Sequence, residues 1–367
     1  MPKPKIKNNI KKSIKKKSIK KRYFFYDISQ NTHEFNKSIL RNIFNRKPNW
    51  VDKHNSEINM PIFSNIKTNT VHFSNDSEKS IINTKSTLFD FITIKYDLAC
   101  FLNSNNKFFV NMYPNTFTLK ANTSSKHINF KNKKKYLVKE PGANGKNIYP
   151  ISKKNQIKRT NKNVVIQELL EDLDLYQNKK YDIRTYFVII KQHNRFYFLN
   201  SREHICRIIP QNYVKGSTNL NNLLTNVNFH KNQVNYNPYK QINILSNIDK
   251  NNIRSEKVAC LLRDFSINLT KTIHTNNDFV SNLRSSKPYE CMFIGADIIF
   301  DNNLNPYIIE FNKSPAISSW NINNNIKSKF SKIFVDYVNH IIEPLLENKN
   351  ITSNSSWNML YSCNFKK

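Results

Sequence analysis

The chain has 367 residues, enough for two or three packed subdomains, and its formal net charge of +32 suits a polyanionic partner: nucleic acid, an anionic membrane surface or an acidic protein tail. No run approaches 18 apolar residues, so no membrane span is expected. Cys100, Cys206, Cys260, Cys291 and Cys363 lie far apart with no CxxC pair, which argues against a zinc site or a disulfide framework and for a reducing compartment.

Residues 1–22, "MPKPKIKNNIKKSIKKKSIKKR", have too little apolar mass to pack and read as a disordered basic tail. The run lacks the apolar segment of a secretory signal; a solvated tail, a nuclear-targeting arm and a polyanion-binding arm all fit it. Residues 23–88 are polar with weak periodicity, and no structure is assigned to them. "FDFITIKYDLACFLNS" (89–104) predicts a short helix, and "YPNTFTL" (113–119) an extended segment after Pro114. "KYLVKEP" (135–141), "NVVIQELL" (163–170), "DIRTYFVII" (182–190) and "RFYFLNS" (195–201) predict strands, the last two a hairpin turning near Gln192–Asn194. Val258, Leu261, Leu262, Phe265, Leu269 and Ile273 predict a helix over 254–273. Two strands follow, "CMFIGADIIF" (291–300) and "PYIIEFN" (306–312), then a helix over 327–342 that Pro344 should end, and a tail over 348–367. Strands mixed with helices and hairpins define an α+β class.

Three places could carry chemistry. The chain has four glycines, where ordinary usage near ~7% would give about 26, yet Gly142 and Gly145 both fall in "VKEPGANGKNI". Glycines there let a loop between Lys139 and Lys146 lie close to phosphate oxygens; a plain hairpin turn also fits. In the last two strands, a loop over 302–305 pairs 301 with 306 and 300 with 307, which sets Asp297 opposite Glu310 with Asn312 on the same face. Two carboxylates about 5 Å apart repel by ~3 kcal/mol at an effective dielectric of ~20, which a cation between them relieves. Few oxygen ligands with room for phosphate and water suit Mg²⁺; a different register would turn the acids to solvent. Finally, "YDIRTYF" puts Asp182 and Arg184 on one strand face and "SREHICR" adds Arg202 and Arg207, forks that fit phosphate, carboxylate or a surface ion pair.

The order of these pieces resembles the tubulin–tyrosine ligase-like family of the ATP-grasp superfamily, over roughly residues 89–342 and most densely over 136–226 and 291–316. "GADIIFDNNLNPYIIEFNKSPAI" is similar to the family's GxD…LxPxLxExNxxP segment, "KKYDIRTYFVI" to its K-[FY]-D-[IL]-R strand, "NSREHICR" to its YREGxxR segment and "LLTN" to its H-L-T-N. The glycine loop departs from the family's form: it is one residue shorter, with Asn147 in place of its last glycine and Glu140 in place of a proline.

The resemblance implies an ATP-grasp fold, with the nucleotide held between two mixed α/β subdomains behind a smaller N-terminal domain. It places that domain within 23–130 and the ligase core over 131–347, split into 131–200 and 201–347. Lys139 would contact ATP phosphates, and Gly142, Asn144 and Gly145 would cover them. Gln167, Glu168, Leu169 and Leu170 would hold the adenine. Thr225 and Asn226 would line the phosphate side, Arg184 and Arg202 would bind the transferring phosphoryl group and the acceptor carboxylate, and Lys95 would reach in from the N-terminal domain. Asp297, Glu310 and Asn312 would hold Mg²⁺.

The implied function is ATP-dependent ligation of a free amino acid, glutamate by default, to a carboxylate of an acidic protein tail such as that of tubulin, through an acylphosphate. A cytoplasmic, microtubule-associated monomer is expected, with a nucleus-directed arm the alternative reading of the Lys-rich N-terminus. Nucleic acid ranks behind acidic protein as a partner, and a non-catalytic polyanion or microtubule binder with a relic core is the alternative function.

Overall fold

The computed structural model describes residues 88–365, apart from 126–127, 143–146, 159–160, 277–280, 282–287, 314 and 316–322, together with four strands nearer the N-terminus. The basic run over 1–22 lies outside the described residues. The four strands are β1 (Tyr23–Asp27), β2 (Trp50–Asp52), β3 (Val71–Asn75) and β4 (Ser80–Asn83), in a region to which the sequence assigns no structure. Strands of three to five residues carry too few alternations to be read; they exist by pairing with one another and, at Asn83, alongside Cys291.

A short helix, α1 (Lys95–Ser104), leads into a four-stranded antiparallel sheet of β5 (Thr116–Leu119), β6 (Tyr136–Lys139), β7 (Ile148–Ile151) and β8 (Val164–Glu168), ordered β5-β8-β6-β7. Leu119, Tyr136, Val138, Ile151, Val164 and Ile166 form its core. The chain then crosses to the large sheet through β9 (Leu175–Tyr176), β10 (Lys179–Gln192), β11 (Arg195–Ser201), β12 (Ile205–Ile208) and β13 (Ile242–Ile244). After the long helix α2 (Ile253–Thr275) come β14 (Tyr289–Phe300) and β15 (Pro306–Lys313), helix α3 (Asn324–Tyr337) and β16 (Trp357–Asn364).

Strands β10 and β14 are the middle of the large sheet, and their sequences explain why. Both are apolar on both faces, as a strand covered on both sides must be. On one face Phe187, Ile189, Met292 and Ile294 pack with Phe265 and Leu269 of α2. On the other Tyr186, Val188, Ile190, Cys291 and Phe293 pack with Phe330, Phe334 and Tyr337 of α3. The expected hairpin forms as β10–β11, with Gln192 opposite Arg195 and His193 in the left-handed region at φ 53°. It belongs to the large sheet, so the two sheets divide after β8 rather than near residue 200, and β5, expected in the N-terminal region, belongs to the small sheet.

Two expectations near the C-terminus are corrected. Pro344 does not end the helical run: five residues of π-helix, Val338–Ile342, follow α3, and a further turn, Glu343–Leu346, carries Pro344 in its first turn, where its missing N–H costs nothing. The segment read as a tail over 348–367 contains β16, which pairs antiparallel with β11 and begins at the fully buried Trp357. Among the described residues no helix is long and apolar enough to cross a membrane, and all five cysteines are free thiols.

Candidate functional site

The site lies where the small sheet meets the β14–β15 hairpin. A narrow cleft is lined by Lys139 of β6, Val165 and Gln167 of β8, Ile309 and Glu310 of β15, and Lys95, Leu98 and Leu102 of α1.

The register of β14 and β15 decides what faces the cleft. The hairpin end pairs Phe300 with Pro306 and Ile299 with Tyr307, one residue off the expected pairs, because the loop is longer. The Asp301 carboxylate closes that loop by accepting from the backbone N–H groups of Asn303 and Asn305 at 2.9 and 2.8 Å. A β-bulge at Ile309 then restores the count, so Asp297 does lie opposite Glu310 and Gly295 opposite Asn312. Without the bulge a one-residue slip would turn Glu310 to the other face.

Asp297, Glu310 and Asn312 therefore converge. Asn312 Nδ2 donates to Asp297 Oδ2 at 3.0 Å and to Glu310 Oε1 at 3.1 Å. Arg184 grips Asp297 with both Nε and Nη2, the latter at 2.9 Å, and Arg207 Nη2 stands 2.9 Å from Asp297 Oδ2. Arg207 also donates from Nε to Asp182 Oδ1 at 2.7 Å, and Thr225 Oγ1 donates to Asp182 as well. Glu310 Oε2 pairs with Lys95 Nζ at 3.0 Å. Burial alone would raise the Asp297 carboxyl, but Arg184 and Arg207 outweigh it and hold it far below the usual carboxylate range. Burial likewise opposes ionisation of Glu310, and Lys95 and Lys139 overcome it.

Lys139, the last residue of β6, is buried and donates to Gln167 Oε1 at 2.6 Å; Gln167 Nε2 reaches Thr116 Oγ1 at 3.4 Å. Burial pulls the Lys139 ammonium down to about 8, with Glu310 and Asp297 among the charges that act on it. Lys180, quoted in the "KKYDIR" strand but given no role by the sequence, is also buried, also pulled down to about 8, and donates to the Leu223 carbonyl. Glu168 pairs with Lys134 at 2.9 Å, and the Leu169 N–H donates to the Lys135 carbonyl at 2.8 Å where the chain leaves the small sheet; Leu170 follows, half-buried. Gly142 is exposed at the start of the loop after β6, whereas Asn144 and Gly145 lie outside the described residues. Asn147 closes the loop at φ 61°, its carbonyl accepting from the Glu140 N–H at 3.1 Å. Asparagine tolerates that left-handed conformation best after glycine, which explains how the loop closes without a glycine there.

Two expected residues are not drawn into the cluster. Arg202 is exposed, and its Nε donates to the Asn354 carbonyl at 2.9 Å. Asn226 caps a short helical turn, its side chain accepting from the Asn228 N–H at 2.9 Å. The place beside Asp297 is instead taken by Arg207, which the sequence supplies only as one of three arginines. Its signal was the pairing of β12 with β10, which sets Arg207 opposite Asp182.

Gly295 shows how tightly the cluster is built. A Cβ there would lie 2.7 Å from Arg184 Cδ and 2.9 Å from Pro315 Cβ, so only glycine lets the Arg184 chain cross β14 to reach Asp297. Gly295→Ala is expected to push Arg184 off Asp297 and to cost about 1–3 kcal/mol, read as a lower thermal midpoint.

The donor set tests well for a metal and a polyphosphate. Among the described residues no three His, Cys, Asp or Glu side chains gather as a closed metal cage. Two carboxylates and an amide on one face instead match the few oxygen ligands Mg²⁺ takes from protein. Lys95, Lys139, Lys180, Arg184 and Arg207 outnumber Asp182, Asp297 and Glu310 around them, an excess of positive charge that fits phosphate.

Two sheets meeting at a cleft of this kind define an ATP-grasp fold. The structure of the C-terminal domain of K. lactis Pby1, an ATP-grasp enzyme, matches with a TM-score of 0.54 at 12% identity, over 77% of this chain and 82% of that one. The chain belongs to the tubulin-tyrosine ligase family, whose model matches residues 92–351. It is 26% identical over 239 residues to tubulin polyglutamylase ttll-11 of Caenorhabditis elegans, covering 56% of this chain and 33% of that protein. It is 27% identical over 207 residues to tubulin monoglutamylase TTLL4 of Mus musculus, covering 51% of this chain and 17% of that protein. The matches thus span a third or less of the length of these two relatives.

Proposed function

We propose that this chain is an ATP-dependent carboxylate–amine ligase that adds an amino acid, glutamate by default, to a carboxylate of an acidic protein tail such as that of tubulin. The observation that carries this is the convergence of Asp297 and Asn312 on Glu310, which lines a cleft together with Lys139. The glutamate default and the tubulin substrate draw support from the two relatives, one named a polyglutamylase and the other a monoglutamylase of tubulin.

In this reading Val165 and Ile309 are the apolar walls for the base, and Gln167, Glu168 and the backbone at Leu169 and Leu170 bind its edge. Lys139 and Lys180 hold phosphate oxygens. Asp297, Glu310 and Asn312 hold Mg²⁺, which when bound neutralises phosphate charge. Arg184 and Arg207 stabilise the charge that grows as the γ-phosphoryl moves to the acceptor carboxylate, giving an acylphosphate. The amine of the incoming amino acid then displaces phosphate and forms the amide. Arg202, exposed and bonded through Nε to the Asn354 carbonyl, would take an acidic group of the acceptor.

Incubation of the protein with MgATP, tubulin and a mixture of amino acids, followed by mass spectrometry of the tails, tests this reading. A mass increase equal to one or more amino-acid residues is expected. Unmodified tails, with a thermal midpoint that nucleotide does not move, would leave a polyanion binder.

Protonation of the two buried lysines sets the pH dependence. Both are charged below about 8 and neutral above it. Affinity for a non-hydrolysable ATP analogue should be flat up to pH 8 and fall above it, by up to about tenfold per pH unit for each lysine. Stability should move the other way. The unfolded chain keeps these protons up to the ordinary value of 10.5, so the burial penalty is fully present below 8 and is relieved between 8 and 10.5. Calorimetric titration and thermal melts across that window read the two opposite slopes.

A further inference from the structure

The side chains proposed to hold the metal are already engaged by the chain's own cations. Asp297 Oδ1 accepts from Arg184 Nε, and Oδ2 accepts from Arg184 Nη2, Arg207 Nη2 and Asn312 Nδ2. Glu310 accepts from Lys95 on one oxygen and from Asn312 on the other. A bare divalent cation entering this cluster would meet more positive than negative charge, and would have to displace the buried Arg184, which pairs with no other carboxylate among the described residues. A polyphosphate changes that balance, because its oxygens match guanidinium forks as well as a carboxylate does.

We propose that, before nucleotide binds, Arg184 and Arg207 hold Asp297 closed to a divalent cation until a polyphosphate draws them away, so that metal binding is conditional on nucleotide. This rests on the reading of the cleft as a metal–nucleotide site. Arg207 is built for the exchange. Its Nε stays bonded to Asp182 at 2.7 Å while Nη2 is shared between Asp182 and Asp297, so it can leave Asp297 without becoming unpaired. Asp182 is itself steadied by Thr225. Lys95 stands on α1 with 31% of its side chain exposed, so water can take over its charge when it releases Glu310. By linkage, nucleotide must strengthen metal binding by the same factor as metal strengthens nucleotide binding.

The test is Mn²⁺ binding, followed by water-proton relaxation and by the loss of the free-ion resonance, to the whole protein alone and with ADP or inorganic tripolyphosphate. The wild type should bind Mn²⁺ alone at least about tenfold more weakly than with either polyphosphate, corrected for the Mn²⁺–polyphosphate complex in solution. Arg207→Met should tighten binding of Mn²⁺ alone by roughly tenfold while weakening ADP. A purely structural arginine would weaken both when removed. Lys95→Met, at a partly exposed position that does not threaten the fold, should also tighten Mn²⁺ alone, by freeing Glu310. Mn²⁺ binding to the wild type as tightly alone as with ADP overturns the inference while leaving the nucleotide site standing, and so does weaker Mn²⁺ binding in both variants. ADP binding without any Mn²⁺ binding in either condition overturns the metal site itself, and the inference with it.

Discussion

Glu310→Gln should lower Mg²⁺-dependent ATP turnover on the order of 10³-fold or more, the scale on which lost electrostatic stabilisation is measured, and leave the protein folded. The charge is the variable changed: glutamine keeps the shape and one oxygen, but removes the carboxylate that Lys95 and Lys139 hold ionised. The fold should survive because the broken pair is partly solvated. Lys95 has 31% of its side chain exposed and Glu310 has 21%, so the loss costs about 1 kcal/mol or less. Asp297→Asn is a poorer test of the same site. It strips the carboxylate from the buried Arg184 and leaves Arg207 only Asp182, and an unpaired buried charge costs about 3–5 kcal/mol. Turnover by Glu310→Gln at the wild-type rate, with an unchanged thermal midpoint, would remove Glu310 from the proposed metal site.

Trp357→Ala should destabilise the protein by about 3–5 kcal/mol, a large part of the 5–15 kcal/mol typical of a folded domain. Trp357 is fully buried, donates from Nε1 to the Ile333 carbonyl at 2.9 Å, and packs on Phe293 and Tyr337 with ring centroids 6.0 and 5.8 Å away. It starts β16, so the damage extends beyond one cavity: its neighbour Ser356 accepts the Arg202 N–H through its carbonyl at 2.8 Å and ties to Asp336 through its hydroxyl. The expected observations are a thermal midpoint lower by on the order of 10 °C and faster proteolysis of residues 350–365. A midpoint within a degree or two of wild type would mean that β16 is dispensable.

Much of the site was legible in the sequence because its signals are local. The scarcity of glycine marks the loop after Lys139, and the period of two along 291–312 sets Asp297 and Glu310 on one face. The helix over 253–275 was readable from its apolar steps of three and four. The pairing of 297 with 310 emerged from a loop taken one residue too short, and the bulge at Ile309 made up the difference. No propensity records such a bulge; it is fixed by what the two strands pack against.

Spacing along one chain tells which segments form the central strands and long helices, and which charged residues share a face. Who neutralises whom depends on contacts between segments far apart in the chain. Arg207 rather than Arg202 reached Asp297 because β12 pairs with β10 and carries Arg207 inward, while Arg202 is bonded to the carbonyls of Asn354 and Ser356. The C-terminal strand escaped detection for the same reason. A polar segment with one buried tryptophan becomes a strand only when the open edge of β11 offers it a partner.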